Sequence, residues 1–84
     1  MTEQKTFYLT IAHVDGPVYD TDAISVHVPG SEGDMTILAS HEALISSLKS
    51  GIISVTRTDN SIESFEVDNG GTVEISDNHV SILL

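Results

Sequence analysis

Histidine and carboxylate side chains are the groups in this sequence whose chemistry could form a metal or catalytic site. The four histidines are separated by 14, 14 and 38 positions, so no two of them share a helical face or alternate positions of one strand. A metal site would therefore need ligands brought together from distant strands. The sequence predicts no metal site, and we expect the histidines on polar faces or at interfaces: His13, His27, His41 and His79.

Nucleophilic and hydrolytic catalysis find equally little support. Ser40 and His41 are adjacent, but adjacency is not the geometry of a catalytic triad, and no nucleophile-elbow motif surrounds them. Asp20 and Asp22 lack the spacing of a calcium loop. The absence of cysteine excludes disulfides, thiolate metal sites and cysteine nucleophiles. We therefore expect no catalytic residue and no cofactor.

The segment from Gly30 to Asp34 reads Gly-Ser-Glu-Gly-Asp and resembles a phosphate-binding loop only superficially. The Lys-Ser/Thr pair of a P-loop is missing, and two acids stand where a phosphate would bind. We interpret the segment as a turn whose glycines supply positive φ angles. Glu32 and Asp34 should be exposed on it, and exposed loop residues often make intermolecular contacts.

Charge and length limit the possible partners. The chain has 84 residues, with 13 acidic and 3 basic side chains and a formal net charge of −10. Nucleic acid and anionic lipid are therefore disfavoured as partners. No apolar stretch is long enough to span a membrane, and the polar N-terminus lacks the pattern of a signal peptide. We expect a soluble protein on the cytosolic side, with residues 1–84 forming one domain.

Alternation of apolar and polar residues dominates the chain and is typical of half-buried strands. The alternating runs are Phe7–Ala12, Ala23–Val28, Met35–Ile37, Ile53–Thr56, Ser64–Asp68, Val73–Ile75 and Val80–Leu84. A further short run, Val18–Tyr19, follows the turn at Asp15–Pro17. Short strands with such turns indicate a small all-β sandwich or barrel.

Turn residues predict hairpin tips at Asp59-Asn60, Asn69–Gly71 and Asp77-Asn78. One segment departs from the strand pattern. From His41 to Lys49 the apolar residues fall at helical spacing, and Gly51 follows where a helix C-cap would stand. Because the segment is also short enough for a strand, periodicity leaves both possibilities open.

Ten segments follow one another in a recognisable order and spacing: Pro17–Asp20, Ile24–Gly30, Glu32–Leu38, His41, Leu44-Ile45, Leu48–Val55, Phe65–Val67, Gly70-Gly71, Val73–Ile75 and Asn78–Leu83. Taken in order, they resemble the N-terminal β-sandwich domain of the epsilon subunit of F-type ATP synthase, called delta in mitochondria. The resemblance covers nearly the whole chain.

The resemblance implies a flattened sandwich or barrel of two antiparallel sheets with roughly ten short strands, and a strand between His41 and Lys49. It implies a non-catalytic rotor subunit of the central stalk. Such a subunit contacts gamma and the c-ring and couples proton-driven rotation to ATP synthesis. It would belong to a peripheral complex at the cytoplasmic face of the bacterial inner membrane, without inserting into the membrane.

Roles carry over only at matching positions. Ser31, Glu32, Gly33 and Asp34 match the loop that faces the c-ring, whose polar loops usually carry arginine in this family, so the acids would steer docking and fix its register. His41 and Ser46 match positions that face gamma, and His13 is expected to join them.

The sequence also departs from the family pattern. Ala39-Ser40 and Thr72 stand where the family usually has Pro-Gly and a bulky apolar residue. The usual C-terminal helical hairpin, which inhibits ATP hydrolysis and in some members binds ATP, has no counterpart in these 84 residues. We therefore expect no inhibitory arm.

A free-standing module that binds carbohydrate or peptide is the alternative. Carbohydrate-binding modules usually present exposed aromatic platforms, whereas this chain has four aromatic residues, Phe7, Tyr8, Tyr19 and Phe65. Two of the four are expected on apolar faces.

Overall fold

The computed structural model describes residues 5–84, which form eight β-strands and no helix. The strands are β1 (Phe7–His13), β2 (Gly16–Val28), β3 (Met35–Leu38), β4 (Leu44–Leu48), β5 (Gly51–Arg57), β6 (Ile62–Val67), β7 (Gly71–Ser76) and β8 (His79–Leu83). The expected all-β class is confirmed. Across the described part of the chain, there is no helix of the length and apolarity that crossing a membrane requires.

The strands form one hydrogen-bonded sheet in the order β4-β7-β8-β1-β2-β5-β6, with β3 also paired to β2. The long strand β2 belongs to two parts of this sheet, which we treat as its two halves. Its first part pairs with β1, and its last part pairs with both β3 and β5. A register shift between Ala23 and Ser25 lies between these parts, and such bulges bend a strand and increase its twist. We call β4, β7, β8, β1 and the first part of β2 the first half, and the other strands with the end of β2 the second half.

Both halves contribute to one apolar core. Along most strands every second side chain points inward, as the alternation predicted, whereas β2 keeps this pattern only in part. The buried side chains include Leu9 and Ile11 on β1, Ile82 on β8, and Ile37 and Ile53 in the second half. No polar or charged side chain is buried among residues 5–84. Burial of each Leu or Ile contributes about 1.5–3 kcal/mol, so this aliphatic core holds the two halves together.

The strand count is eight where about ten were expected. One difference lies in β2, which was expected as a short run at Val18–Tyr19 and a separate run at Ala23–Val28. The polar segment between them continues the strand because Asp20 and Asp22 pair with Thr10 and Tyr8 of β1. The pairing is also not wholly antiparallel, since β1 and β8 run parallel.

The segment between His41 and Lys49 contains a strand, as the resemblance implied. β4 pairs along its full length with β7, from Leu44 opposite Ile75 to Leu48 opposite Gly71. Its side chains alternate, with Ile45 and Ser47 exposed and Leu48 buried. Backbone pairing to β7 therefore decides the structure, and the helical spacing of the apolar residues does not.

Two of the three expected hairpin tips are confirmed. Asn60 has a φ angle of 70° in the β5–β6 turn, and Asp77 and Asn78 have φ angles of 51° and 60° in the β7–β8 turn. A pair of positive φ angles is the signature of a two-residue type I′ hairpin turn. The third expectation is wrong. The segment Asn69–Gly71 connects β6 to β7, but these strands do not pair, because β7 lies between β4 and β8.

Candidate docking surfaces

The acidic loop, Ser31–Asp34, connects β2 to β3. All four residues are exposed, whereas the preceding Pro29 and Gly30 are buried. Gly33 has a φ angle of 136° and therefore requires glycine, as expected for a turn. Gly30 requires glycine for a different reason, since a Cβ atom there would clash with the carbonyl oxygen of Gly33. The N–H of Gly33 donates a hydrogen bond of 3.1 Å to the carbonyl oxygen of Gly30.

The base of the acidic loop is attached to β4. The N–H of Ser31 donates to the carbonyl oxygen of Ser47 at 2.9 Å, and the hydroxyl of Ser47 donates to that of Ser31 at 2.9 Å. Gly30 forms a bridge with Leu48, and the N–H of Lys49 donates to the carbonyl oxygen of Pro29 at 2.9 Å. The loop therefore projects from a fixed base.

The other end of the acidic loop is attached to the second half of the sheet. The Nε2 atom of His27 lies 3.4 Å from Oδ2 of Asp34, and its Nδ1 atom lies 3.0 Å from Oγ1 of Thr36. The ion pairs within residues 5–84 are His27–Asp34 and Arg57–Glu63. Glu32 therefore has no basic partner in the described part of the chain and presents its charge to solvent.

The residues expected to face gamma do not form one cluster. His13 is the last residue of β1. It lies at the same end of the sheet as Leu83, which ends β8, and Gly71, which begins β7. His41 precedes β4 at the opposite end, where the N–H of Ser40 donates to Oδ1 of Asn78 at 2.7 Å. Because β1 rises by about 3.3 Å per residue, His13 and His41 are separated by roughly 15 Å or more along the strands. A single partner that contacts both must follow the strand direction.

Ser46 lies between these two histidines. It is half-buried on the inner side of β4, opposite Val73 of β7, and its hydroxyl donates to the carbonyl oxygen of Ser47 at 3.3 Å. β4 ends the strand order, so one edge of it is not covered by another named strand. A partner would therefore reach Ser46 from that edge.

Sequence reasoning missed a set of exposed apolar side chains on the outer face of the second half. Leu38, Ile52 and Ile62 are 56%, 49% and 70% exposed. Leu38 and Ile62 end one row across the sheet, with Ser25 and Thr56 between them. The signal was present in the alternation, because each of these residues is out of phase with the buried residues of its strand. Two polar residues separate Leu38 from Ile62, and Ile52 pairs with Glu66, so these are single exposed apolar side chains and not a continuous patch.

Around Tyr8 and Thr10, the outer face of the first half carries polar side chains. The hydroxyl of Tyr8 donates to Oδ1 of Asp20 at 2.6 Å, and the hydroxyl of Thr10 donates to the same atom at 3.3 Å. The ring of His79 packs edge-on against Tyr8 at 5.1 Å between centroids. The hydrogen bond to Asp20, with smaller contributions from desolvation and from the charges of Asp20 and Asp22, raises the pKa of Tyr8.

The described residues contain no assembled catalytic or metal centre. Nδ1 of His41 lies 2.8 Å from the carbonyl oxygen of Glu42, and no hydrogen bond joins this ring to Ser40 in residues 5–84. No group of three or more His, Cys, Asp or Glu in that range is arranged to hold a metal ion. The described residues instead provide surfaces that a partner could contact. These are the acidic loop on its fixed base, the polar side chains around Tyr8 in the first half, and the exposed apolar side chains of the second half.

The family of the chain follows from its match to a family model. The model is described as the beta-sandwich domain of the ATP synthase delta/epsilon chain, and it matches residues 6–84. The chain belongs to this family. The resemblance noted from the sequence is thereby confirmed, and so is the sandwich fold.

Curated relatives of the delta/epsilon family agree with this assignment. The ATP synthase epsilon chain of Sulfurimonas denitrificans is 38% identical over 76 residues, covering 90% of this chain and 58% of the relative. That of Latilactobacillus sakei is 42% identical over 82 residues, covering 96% of this chain and 57% of the relative. The chain thus spans little more than half the length of the relatives it matches.

Solved structures with low sequence identity to this chain support the fold. A chain in the cryo-EM structure of Euglena gracilis mitochondrial ATP synthase, OSCP/F1/c-ring, matches with a TM-score of 0.87 at 22% identity, covering 99% of this chain and 52% of that chain. A chain in the Tetrahymena thermophila mitochondrial ATP synthase central stalk and c-ring matches with a TM-score of 0.74 at 18% identity, covering 98% and 65%.

Proposed function

We propose that residues 1–84 form the N-terminal domain of a rotor subunit of F-type ATP synthase, which couples rotation of the c-ring to ATP synthesis through contacts with gamma and the c-ring. The observation that carries this proposal is the acidic loop, which projects from the sandwich on a base held by β4. Family membership and the central-stalk and c-ring complexes that contain the structural neighbours support it.

The c-ring contact is assigned to Ser31, Glu32, Gly33 and Asp34. A loop with two exposed carboxylates fits a basic surface, such as the arginine-bearing loops that the family resemblance implies for the c subunits. With a net charge of −10, the chain would also be attracted to such a surface from a distance. Charges of this kind mainly accelerate docking and fix its register.

The gamma contact is assigned to His13, His41 and Ser46. Since the two histidines lie at opposite ends of the first half, gamma would follow the strand direction and meet Ser46 at the edge of β4 that faces away from β7, beside the part of that edge already joined to Pro29 and Ser31. Ile45 on the same strand is 70% exposed and would add apolar area to this contact.

The proposed role is mechanical and requires no bond chemistry, so we assign the domain no catalytic residue and no cofactor. Its place would be at the cytoplasmic face of the bacterial inner membrane, as part of a peripheral complex. Inhibition of ATP hydrolysis and ATP binding, which the resemblance links to a helical hairpin, are not assigned to these residues.

A carbohydrate-binding module gains no support from the aromatic residues. Phe7 and Tyr19 are buried, Phe65 is half-buried, and Tyr8 is engaged with Asp20. These side chains form no exposed platform on which a sugar could stack.

Site-specific cross-linking tests the assigned contacts. Because the chain has no cysteine, each introduced cysteine is its only thiol available for cross-linking. Ser31→Cys and His41→Cys would be introduced separately into the assembled ATP synthase, with cysteines at candidate positions of the c subunit and gamma. We expect Ser31→Cys to cross-link to the c subunit and His41→Cys to gamma.

The matched control is Thr58→Cys in the exposed β5–β6 turn. This turn lies at the far end of β5 from Gly51, which packs on Pro29 next to the acidic loop. We expect no cross-link from position 58 to the c subunit. Equal cross-linking of positions 31 and 58 to the c subunit would contradict the assignment of the acidic loop.

A further inference from the structure

His27 stands between the sheet and the acidic loop. It lies on the outer side of β2, directly opposite Thr36 of β3 in the antiparallel ladder. Its ring is in contact with Thr36 on one side, at 3.0 Å, and with Asp34 on the other, at 3.4 Å. The side chains of His27 and Asp34 are 46% and 57% exposed, so both remain accessible to a partner.

The chemistry of the two neighbours fixes the role of each ring nitrogen. A carboxylate only accepts hydrogen bonds, so Nε2 must carry the proton that faces Asp34. In the neutral ring Nδ1 then has a free lone pair, and the hydroxyl of Thr36 donates to it. Thr36 thus holds the ring from the sheet side, and the ring holds one carboxylate oxygen of Asp34.

The two acids of the loop therefore differ. Oδ2 of Asp34 is held by His27, which leaves Oδ1 available to accept from a partner. Glu32 has no ion-pair partner in residues 5–84 and can adopt many rotamers. A fixed carboxylate contributes to binding with less loss of side-chain entropy than a free one.

We propose that His27 is a positioning residue for docking: it orients Asp34 toward a basic side chain of the partner, while Glu32 acts through its charge alone. This inference rests on the proposed contact between the acidic loop and the c-ring. The hydrogen bonds that link Thr36, His27 and Asp34 would fix the register in which the acidic loop docks. Long-range attraction comes from both carboxylates.

A double-mutant cycle tests this role. The full-length chain and its variants would be titrated into ATP synthase depleted of this subunit, and the dissociation constant measured. For an exposed pair, we expect His27→Ala to weaken binding by roughly two- to fivefold. His27→Gln, whose amide N–H can still donate to Asp34, should restore most of the affinity.

The diagnostic result is the coupling. Asp34→Asn should weaken binding more in the native background than in the His27→Ala background, where only the loss of its charge remains, comparable to the effect of Glu32→Gln. Glu32→Gln is the matched control, and its effect should be the same in both backgrounds. In the free protein, the ¹⁵N spectrum of His27 should show the tautomer protonated at Nε2, and Thr36→Val should reduce that preference.

The outcomes separate this inference from the function on which it rests. If neither Asp34→Asn nor Glu32→Gln changes binding, the acidic loop does not dock, and both the proposed contact and the role of His27 are wrong. If both substitutions weaken binding but His27→Ala is additive with Asp34→Asn, the loop docks without His27 as its positioning residue. A thermal melt of each variant checks that it is folded.

Discussion

The hydroxyl of Ser47 on β4 donates a 2.9 Å hydrogen bond to the hydroxyl of Ser31 at the base of the acidic loop. These residues belong to the two surfaces that we assign to different partners, since Ser31 lies in the c-ring loop and Ser47 follows Ser46 on the strand assigned to gamma. The same two residues also share a backbone hydrogen bond, from the N–H of Ser31 to the carbonyl oxygen of Ser47. The two surfaces are therefore joined by short, direct contacts.

Ser47→Ala tests how much the side-chain bond contributes to this attachment. Because the backbone bond is retained and both hydroxyls are exposed, the free energy of unfolding should fall by no more than about 0.5–1.5 kcal/mol. Denaturant unfolding measures this change. Ser64→Ala, an exposed hydroxyl on β6, is the matched control and should leave stability within about 0.5 kcal/mol of the native value. Equal losses for both variants would show that the Ser31–Ser47 bond contributes nothing specific.

Gly33→Ala tests the backbone conformation of the acidic loop. A φ angle of 136° is unfavourable for any residue with a Cβ atom, and nothing within 4 Å would obstruct the new methyl group. Backbone strain alone should therefore cost about 1–3 kcal/mol. Gly30→Ala should cost more, since its Cβ atom would also clash with the Gly33 carbonyl oxygen. Both are measured by denaturant unfolding, and native-like stability of Gly30→Ala would contradict this geometry.

Ile82→Ala tests the core that joins the two halves. Ile82 is fully buried, so its truncation should destabilise the fold by about 2–5 kcal/mol. Ile45→Ala makes the same chemical change at a side chain that is 70% exposed, and should cost less than about 0.5 kcal/mol. Thermal unfolding of both variants gives the comparison. Similar losses at the two positions would contradict the inward and outward assignment of β4 and β8.

The β5–β6 turn gives a prediction about pH. The hydroxyl of Ser61, and then its backbone N–H, donate to Oδ1 of Asp59 and lower the pKa of that carboxyl group. A lowered pKa means that ionised Asp59 stabilises the fold above its unfolded-state pKa. This contribution is lost as the pH falls through the folded-state pKa.

An NMR titration of the Asp59 carboxyl carbon measures this effect. Ser61→Ala removes the largest cause, so the pKa of Asp59 should move back up toward its ordinary value. Ser64→Ala is the control, because it removes an exposed hydroxyl on β6 that does not contribute to the lowered pKa of Asp59, and it should leave the Asp59 titration unchanged. An unchanged Asp59 titration in Ser61→Ala would overturn the assignment of the hydrogen bond.

The strands and most turns were predictable from sequence because alternation and turn residues are local signals. Long-range pairing was not. The polar Asp20–Asp22 segment belongs to a continuous β2 only because β1 lies beside it, and the parallel pairing of β1 with β8 joins segments from opposite ends of the chain. The turn residues Asn69–Gly71 indicate a reversal but not which strands then pair.

The candidate site was predictable in part for the same reason. Exposure of Glu32 and Asp34 follows from their place in a glycine turn, and family resemblance gave the loop its candidate partner. The contact between His27 and Asp34 was missed because it depends on the register of β2 against β3. The separation of His13 from His41 depends likewise on the order of β1, β8, β7 and β4.

Reversing the charge of the acidic loop in the intact enzyme tests the central claim most directly. ATP synthase carrying Glu32→Lys and Asp34→Lys would be assayed in proteoliposomes for proton-driven ATP synthesis and for ATP hydrolysis by the detached catalytic sector. Glu66→Lys with Asp59→Lys is the control, since both residues are exposed in the second half, lie outside the acidic loop and away from β4, and change the net charge equally. We predict that synthesis falls only in the loop variant while hydrolysis is retained in both. Synthesis at the native rate in the loop variant would contradict the account.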